Sequence, residues 1–360
     1  MIVRPRRWDR AAPVPRSASG RRWYRRNVRS VVTDVSVERG EDGRLLVAWT
    51  LDGPDRGVEV AIGPRPDRID HDRPTVVAAG RRSVRVDRTG SGRSYVSVSP
   101  AGGGSGLVAA ERRVVLEGAV NFRDLGGYAT ADGRRTRWGC VFRSDAFHAL
   151  TDEDRAQFAE LGLRVIYDLR SDSERVAQPN LVPEDGTLRS VELALSAGED
   201  AAGALPPLEQ LQEGAGFVLD LYRGLLSHGA PVFGTLLSGL AERGALPAVF
   251  HCLWGKDRTG VAAALLLSAL GVPDADVVDD YLLTERFRSQ GEVVAALQRL
   301  ELAGVPPEAA AGVVASSGWV MDTVLSELRE RHGGVEGYLL GPAGMTPASL
   351  GELRRLLVTD

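Results

Sequence analysis

The stretch "HCLWGKDRTG" at residues 251–260 gathers side chains that could do covalent chemistry. It holds one of the two cysteines and the single lysine of a chain whose Lys and Arg total 44, so every other basic residue is arginine. Cys252 and Arg258 stand in a C-x5-R spacing. A thiolate is a strong nucleophile, and a guanidinium binds two phosphoryl oxygens at once. The spacing therefore predicts a site for nucleophilic attack on a phosphate ester.

The flanking segments predict how this stretch is positioned. "PAVFHC" (247–252) is an apolar run typical of a buried strand, and "TGVAAALLLSALG" (259–271) is an apolar helix that should begin at about Thr259. A loop that leads into a helix N-terminus presents unpaired backbone N–H groups and the positive end of the helix dipole. Such a loop binds a phosphate dianion. Gly255 and Gly260 should let the backbone turn closely around that anion.

Each side chain of the loop then has an expected role. Cys252 should be the nucleophile, because a helix N-terminus and nearby cations favour the thiolate, and it would form a phosphocysteine intermediate. Arg258 should hold the phosphoryl oxygens, and Thr259 should donate a hydrogen bond to the sulfur. His251 is expected to orient the loop. The remaining substrate-phosphate-binding positions are predicted at Leu253, Trp254, Gly255, Lys256 and Gly260.

Two other interpretations of the loop fail on its residues. A nucleotide-binding GxxxxGK[ST] loop needs glycine at residue 250, which is Phe250, and Ser or Thr after the lysine, which is Asp257. An inert buried cysteine would leave the His, Gly, Lys, Arg and Thr at these offsets unexplained.

The stretch resembles the signature loop HC-x5-R-[ST] of the cysteine-dependent protein tyrosine phosphatases. Its Lys-Asp pair is similar to that of a bacterial atypical subgroup with tyrosine, serine/threonine and phosphoinositide activity. Four further blocks and a C-terminal segment match in chain order, so that the resemblance covers about residues 117–358: "NFRDLGGY" (121–128), "RRTRWGCVFRSD" (134–145), "LGLRVIYDLRSDSE" (161–174), "DDYLLTE" (279–285) and "GGVEGYLLGPAGMTPASLGELRRLL" (333–357). The resemblance implies a protein tyrosine phosphatase, a phosphoric monoester hydrolase that needs no cofactor or metal.

Two loop residues leave the class of substrate undecided. A lysine at the position of Lys256 also occurs in phosphoinositide phosphatases, where it faces ring phosphates. Trp254 departs from the family pattern, because that position is commonly Ala; an indole there could stack on a phenyl ring or exclude an inositol headgroup. The leading hypothesis is a protein tyrosine or dual-specificity phosphatase. The alternatives are a phosphoinositide phosphatase and a phosphate-binding adaptor with little turnover.

The general acid has two candidate positions. Many tyrosine phosphatases use an Asp on a Trp-Pro-Asp loop, and no such tripeptide occurs here. Asp257, inside the loop, is the first choice. Glu199 and Asp200, in the Gly/Ala-rich segment "LSAGEDAAG", are the alternative.

Several residues outside the loop have open roles. Arg123 and Asp124 could brace or line the active site, or could form an ion pair that holds the N-terminal turn. Asp168, Arg170 and Glu174, at the end of a predicted strand, favour a structural network over catalysis.

Cys140 is interpreted as a small buried residue, with a reversible disulfide to Cys252 as the alternative. The histidines outside the loop lack metal-ligand spacing, which predicts no metal site.

The chain divides into three segments by pattern. Residues 1–30 contain ten arginines and a single acid, Asp9, and are predicted to be a basic, disordered tail. Residues 31–116 carry short alternating strands separated by Gly, Pro and Asp clusters, which predicts a small β-sandwich resembling a fibronectin type III or immunoglobulin-like module. Residues 117–360 alternate strands and helices, which predicts an α/β phosphatase domain with a mainly parallel central sheet flanked by helices.

Composition narrows the surroundings of the protein. A net charge of −4 gives no reason to expect specific nucleic-acid binding, and two cysteines favour a reducing compartment. No apolar run of 18 residues occurs, so no transmembrane segment is predicted. The expected setting is cytoplasmic. The expected partners are a phosphorylated protein or phosphoinositide substrate and a protein bound by the β-module.

Overall fold

The computed structural model of the protein describes residues 30–359 except 91, 184–185, 187 and 197–207. The predicted basic tail lies outside the described residues apart from Ser30, as do Glu199 and Asp200.

The N-terminal part consists of seven strands in two antiparallel sheets. One sheet has the order β1-β2-β5 and the other the order β4-β3-β6-β7. The strands are β1 (Val31–Arg39), β2 (Leu45–Asp52), β3 (Val58–Gly63), β4 (Asp70–Val77), β5 (Ser83–Val86), β6 (Tyr95–Pro100) and β7 (Leu107–Ala110).

These two sheets share one apolar core. Leu45, Val47 and Trp49 of β2 are buried and alternate with more exposed residues, as a strand with one face on the core requires. They pack in one cluster with Val60 of β3 and Val98 of β6 from the other sheet. The pair of sheets is therefore a β-sandwich.

The rest of the chain is built on a five-stranded sheet with the order β11-β10-β12-β9-β8. Its strands are β8 (Arg123–Asp124), β9 (Val141–Ser144), β10 (Val165–Asp168), β11 (Arg189–Glu192) and β12 (Ala248–His251). Three pairings are parallel, but β8 runs antiparallel to β9. The sheet is thus mixed rather than simply parallel, because the "NFRDLGG" block turns back along its edge.

Twelve helices are described around this sheet. They are α1 (Asp152–Glu160), α2 (Asp172–Ala177), α3 (Leu208–Leu211), α4 (Ala215–His228), α5 (Ala230–Leu240), α6 (Asp257–Ala269), α7 (Asp274–Phe287), α8 (Gln290–Leu302), α9 (Pro307–Val314), α10 (Gly318–His332), α11 (Val335–Leu340) and α12 (Pro347–Leu357). Thr151 caps α1, since its side chain accepts from the backbone N–H of Asp154 in a reciprocal capping box.

Helix α6 lies at the centre of the largest apolar cluster. Residues 261–267 of this helix are buried without interruption, and α4, α7 and α11 pack against it. A helix that is apolar on all sides must be enclosed, which explains its sequence. No helix in the described part of the chain is both long and apolar enough to span a membrane.

Candidate active site

The C-x5-R loop leaves the middle strand of the sheet and enters the enclosed helix. His251, the last residue of β12, pairs with Asp168 of β10 on one side and Ser144 of β9 on the other. Helix α6 begins at Asp257, two residues earlier than the sequence predicts, with Lys256 as its N-cap. Asp257 and Arg258 therefore lie in the first helical turn, where backbone N–H groups are unpaired.

Glycine is needed at positions 255 and 260 for different structural reasons. Gly255 has φ +64°, and a Cβ there would lie 2.6 Å from the carbonyl oxygen of Ser144. Only glycine suits both the backbone angle and that space. Gly260 lies within α6, and a Cβ there would meet the Tyr281 ring at 3.1 Å. Gly260 thus allows close packing against α7 and does not form the turn predicted from the sequence.

The nucleophile candidate lies at the base of the loop. Cys252 is buried and its thiol is free. Thr259 is also buried, and its hydroxyl has no hydrogen-bond partner among the described residues. A buried hydroxyl without a partner is uncommon. The predicted hydrogen bond from Thr259 to the sulfur would satisfy it.

Arg258 is held by a carboxylate from a neighbouring helix. Its Nη1 and Nη2 donate to Glu174 Oε2 and Oε1, both at 2.6 Å, and Nη1 also approaches the carbonyl oxygen of Leu169 at 3.3 Å. Burial acts to lower the pKa of Arg258, but the bonds to Glu174 and then the nearby charge of Cys252 raise it above its ordinary value. The guanidinium is therefore fixed and cationic beside the thiol.

His251 is buried behind the loop as a neutral ring. Burial lowers its pKa to about 4, although the charge of Asp168 opposes the shift. Its Nδ1 lies 3.1 Å from the carbonyl oxygen of Cys252, and its Nε2 lies 3.2 Å from Asn180 Nδ2. With Asn180 donating to Nε2, Nδ1 carries the proton and donates to Cys252. These contacts fit the predicted orienting role.

A network supports this side of the loop, as the sequence predicts for the "DLRS" block. Arg170 donates to both carboxylate oxygens of Asp168 and to Asn180 Oδ1, and Asn180 in turn reaches His251. Glu174 does more than support the structural network predicted from the sequence, because it contacts Arg258 directly.

The outer backbone of the loop is held by a second buried network. Asp280 of α7 accepts from Arg123 Nε at 3.1 Å and from Arg143 Nη1 at 2.7 Å. Burial would raise the pKa of Asp280, but the two arginines lower it well below its usual range. Arg143 Nη2 and Asn121 Nδ2 then donate to the carbonyl oxygen of Gly255 at 2.8 and 3.0 Å. Arg123 therefore braces the loop indirectly.

Asp124 has the second role considered from the sequence, which is an ion pair that holds the N-terminal turn. Its carboxylate accepts from Arg93 of the sandwich and from the backbone N–H groups of Gly126 and Gly139. It holds the turn after β8 and links that turn to the sandwich. Its described contacts do not include the C-x5-R loop.

Lys256 is directed away from the position predicted for a substrate phosphate. Its side chain is buried, and Nζ donates to the carbonyl oxygens of Val313 and Val314 at 2.6 and 3.3 Å. These carbonyls end helix α9, where the helix dipole favours a cation. Contact between Lys256 and substrate stays a prediction, and it would require the ammonium to leave α9.

Asp257 is the first residue of α6 and contacts α4. Its Oδ1 accepts from the Tyr222 hydroxyl at 2.9 Å and lies 3.6 Å from Lys256 Nζ. Burial, followed by the charge of Asp257, raises the pKa of Tyr222 well above its ordinary value, so the tyrosine stays a neutral donor. The carboxyl is partly exposed.

Trp254 packs against Arg288, a residue that the sequence analysis did not identify. The guanidinium carbon of Arg288 lies 3.7 Å from the centre of the indole ring, a close cation–π contact. Arg288 is in the short joint between α7 and α8.

The two cysteines cannot form the disulfide considered from the sequence. Cys140 precedes β9 and Cys252 follows β12, and these strands run parallel with Val141 opposite Ala248. This register places Cys140 level with Pro247, five residues before Cys252, and at about 3.3 Å per residue the cysteines are roughly 16 Å apart along the strands. A disulfide needs Cα atoms within about 7 Å. Burial also raises the pKa of Cys140 to about 12, so its thiol is unreactive.

Sequence reasoning missed several supporting residues as individuals, although three of them lie inside the motif blocks. Asn121, Arg143 and Asp280 occur in "NFRDLGGY", "VFRSD" and "DDYLLTE". Each of these is a polar residue close to apolar residues, and that pattern could have identified it in the sequence. Arg288 carried no signal, because "ERFRSQGE" is typical of an exposed helix end.

Comparisons with known proteins agree with this geometry. The profile of the tyrosine phosphatase family matches residues 114–359. A protein of Cupriavidus necator that is provisionally named a tyrosine-protein phosphatase is 31% identical over 222 residues, covering 61% of this chain and 80% of its own length. The triple specificity protein phosphatase PtpB of Mycobacterium tuberculosis is 28% identical over 276 residues, covering 68% of this chain and 98% of its own.

Among solved structures, the core catalytic domain of the PP-IP phosphatase SIW14 from S. cerevisiae aligns at 14% identity over 57% of this chain and 91% of its own, with a TM-score of 0.27. That score is too low to support a structural argument. The family profile covers most of the chain and includes the whole C-x5-R loop. The chain belongs to the tyrosine phosphatase family.

Proposed function

We propose that the protein hydrolyses phosphotyrosine in proteins, with dual specificity toward phosphoserine and phosphothreonine, through a phosphocysteine intermediate. One observation carries the proposal: Cys252, the fixed cation of Arg258 and the first turn of α6 converge on one loop. That loop offers a nucleophile, an anion site and a helix dipole together.

The first chemical step follows from these groups. The Cys252 thiolate attacks phosphorus, an S–P bond forms, and the P–O bond to the leaving oxygen breaks. Arg258 and the N–H groups at the start of α6 bind the equatorial oxygens, whose charge they stabilise most in the transition state. Asp257 acts as the general acid and gives a proton to the leaving oxygen.

The second step releases the product. Water attacks the phosphocysteine, giving inorganic phosphate and restoring the thiolate. Asp257, now a carboxylate, accepts the proton of that water. Thr259 donates to the sulfur as it leaves.

The phosphoinositide alternative draws less support from the described contacts. Lys256, the cation that suggested it, donates to the carbonyl oxygens at the end of α9. Trp254 and Arg288 occupy the space beside the loop. We therefore favour protein substrates over headgroups with several ring phosphates.

The β-sandwich is proposed to be a fibronectin type III or immunoglobulin-like module that binds a protein partner. Its sheets, β1-β2-β5 and β4-β3-β6-β7, differ from the constant immunoglobulin arrangement only in that the fourth strand joins the opposite sheet. A cytoplasmic setting remains part of this proposal, since a thiolate nucleophile needs a reducing compartment.

Phosphate release from phosphotyrosine peptides, phosphoserine and phosphothreonine peptides and p-nitrophenyl phosphate tests the function. Cys252→Ser should lower turnover to below about 1% of wild type, because an alcohol does not ionise near neutral pH. Binding of inorganic phosphate or vanadate should persist, since Arg258 and the loop N–H groups remain. Appreciable turnover by Cys252→Ser would exclude the phosphocysteine route.

A further inference from the structure

Arg288 is an almost completely buried cation that has no hydrogen-bonded partner in the described part of the chain. Its side chain is 8% exposed. Its Nε and Nη1 atoms are buried and make no hydrogen bond with the described residues. Its Nη2 lies 3.9 Å from Glu292 Oε1, which is too long for a hydrogen bond. Buried guanidinium donors normally have acceptors, so this one is prepared for an acceptor that the described residues do not supply.

The position of Arg288 places it beside the reaction centre. The guanidinium lies on the ring of Trp254, two residues from Cys252 in the same loop. Burial lowers the pKa of Arg288, and the charges of Glu292, Asp145, Asp257 and Cys252 oppose that shift. Arg288 is therefore close enough to interact with both the nucleophile and the proposed general acid.

Arg288 also differs from the other cations near the loop, because its Nε and Nη1 make no hydrogen bond with a described residue. Arg258 is committed to Glu174 along one edge, and Lys256 donates to the end of α9. Among the cations at the described loop, a second negative charge on a substrate would thus meet Arg288 first.

We infer that Arg288, stacked on Trp254, forms a second anion subsite that binds the carboxylate of an acidic residue next to the phosphotyrosine of a substrate peptide. The inference rests on the proposed phosphatase function and specifies its substrates. A planar guanidinium matches a carboxylate with two parallel hydrogen bonds. The indole holds the guanidinium plane in place, so little side-chain entropy is lost on binding.

The enclosure of the subsite favours a peptide carboxylate over a ring phosphate. The indole covers one face of the guanidinium, and little of the side chain is exposed. A carboxylate on a flexible Asp or Glu side chain can enter such a space. A phosphate fixed to a rigid inositol ring, whose first phosphate already lies in the loop, has much less freedom to do so.

The test compares phosphotyrosine peptides that carry Glu or Gln at each position from two residues before to two residues after the phosphotyrosine. Wild type should prefer Glu over Gln in kcat/KM at one position or more by roughly 10-fold, the typical contribution of a charged hydrogen bond. Arg288→Gln should remove most of that preference. Arg288→Lys should retain part of it, because the charge remains without the planar fork.

Arg286→Gln is the matched control. Arg286 is on the same stretch of chain, but its side chain is 72% exposed and lies 4.0 Å from Glu38. This variant should keep the wild-type preference. Circular dichroism melting of each variant shows whether it is folded.

The possible results distinguish a failure of the Arg288 subsite from a failure of the proposed phosphatase function. Failure of wild type to hydrolyse p-nitrophenyl phosphate or any peptide overturns the proposed function. Turnover without a Glu preference, or a preference that survives in folded Arg288→Gln, overturns the subsite alone. A loss by Arg288→Gln that is confined to phosphoinositide vesicles would also overturn it, because the second anion would then be a headgroup phosphate.

Discussion

Arg258 divides its guanidinium between the protein and the substrate. A guanidinium has five N–H groups, and the contacts with Glu174 and Leu169 use Nη1 and one side of Nη2. The Nε–H and the second Nη2–H lie on the other edge and form a parallel pair. That edge can bind two phosphoryl oxygens while Glu174 holds the opposite edge in place.

Glu174 is accordingly a positioning residue, and its substitution tests that role. Glu174→Gln keeps the size of the side chain but removes its charge and one of its two acceptor oxygens. We expect kcat to fall about 10- to 100-fold, the range of a charged hydrogen bond, because Arg258 would no longer be fixed for the transition state. Steady-state kinetics with p-nitrophenyl phosphate measures this.

Two comparisons distinguish positioning from a general loss of structure. Glu174→Asp should recover part of the loss in kcat, since it restores the carboxylate. Asp172→Asn, which changes an exposed carboxylate two residues before Glu174 on α2, should behave as wild type. An unchanged kcat in Glu174→Gln would mean that the loop alone positions Arg258.

The strand, loop and helix of the site could be predicted because they are local in sequence. The apolar run 247–252, the C-x5-R spacing and the apolar helix after it are all within 25 residues. The helix start was misplaced by two residues because Asp257 and Arg258 are charged and resemble loop residues, yet their side chains find partners on α2 and α4. Tertiary contacts decide such boundaries, and the local pattern does not contain them.

Lys256 shows which contacts between helices could not be predicted from the sequence. The sequence marks it as unusual, but its contacts with Val313 and Val314 join positions 57 and 58 residues apart. Because the ammonium also complements the negative end of α9, we interpret it first as an anchor for that helix.

Lys256→Met separates an anchor from a substrate ligand. If the ammonium fixes α9, backbone amides of Pro307–Val314 should exchange with deuterium at least about 10-fold faster, since a charged hydrogen bond contributes at that level. If it binds a second substrate phosphate, turnover of phosphoinositides should fall far more than turnover of phosphotyrosine peptides. Hydrogen-exchange mass spectrometry and phosphate release measure the two effects.

Arg299→Met is the control for that experiment. Arg299 is an exposed cation on the adjacent helix α8, so its removal should change neither exchange nor selectivity. Unchanged protection of α9 in Lys256→Met, together with a selective loss of phosphoinositide turnover, would contradict the anchor role.

At the scale of the whole molecule, the sandwich and the phosphatase region are joined by buried contacts. Arg93 follows β5 on the sandwich side, and its 7% exposed side chain donates to Asp124, to the Tyr95 hydroxyl and to the carbonyl oxygen of Glu111. Trp138 of the phosphatase region packs against the sandwich core. The sequence pattern predicted the sandwich and the phosphatase domain as separate segments. It could not predict this interface, because the interface partners are far apart in sequence and each resembles an ordinary surface residue.

Asp124→Ala tests how strongly this interface couples the two regions. It leaves the Arg93 guanidinium buried without its carboxylate, and breaking a buried ion pair from one side destabilises by about 3–5 kcal/mol. The melting temperature should fall by roughly 5–15 °C. Because the contacts of Asp124 lie away from the loop, kcat measured well below the melting temperature should stay near that of wild type. Calorimetry and p-nitrophenyl phosphate assays measure the two quantities.

The double variant Arg93→Leu/Asp124→Leu removes both charges and should therefore be less destabilised than Asp124→Ala, as expected when an unpaired buried charge is the main penalty. Asp132→Ala is the control: this carboxylate also pairs with an arginine, but both side chains are largely exposed, and such pairs contribute at most about 1 kcal/mol. An Asp124→Ala variant that melts as wild type but has lost kcat would reverse the assignment. Asp124 would then act on the active site, and the ion pair with Arg93 would be incidental to the joining of the two regions.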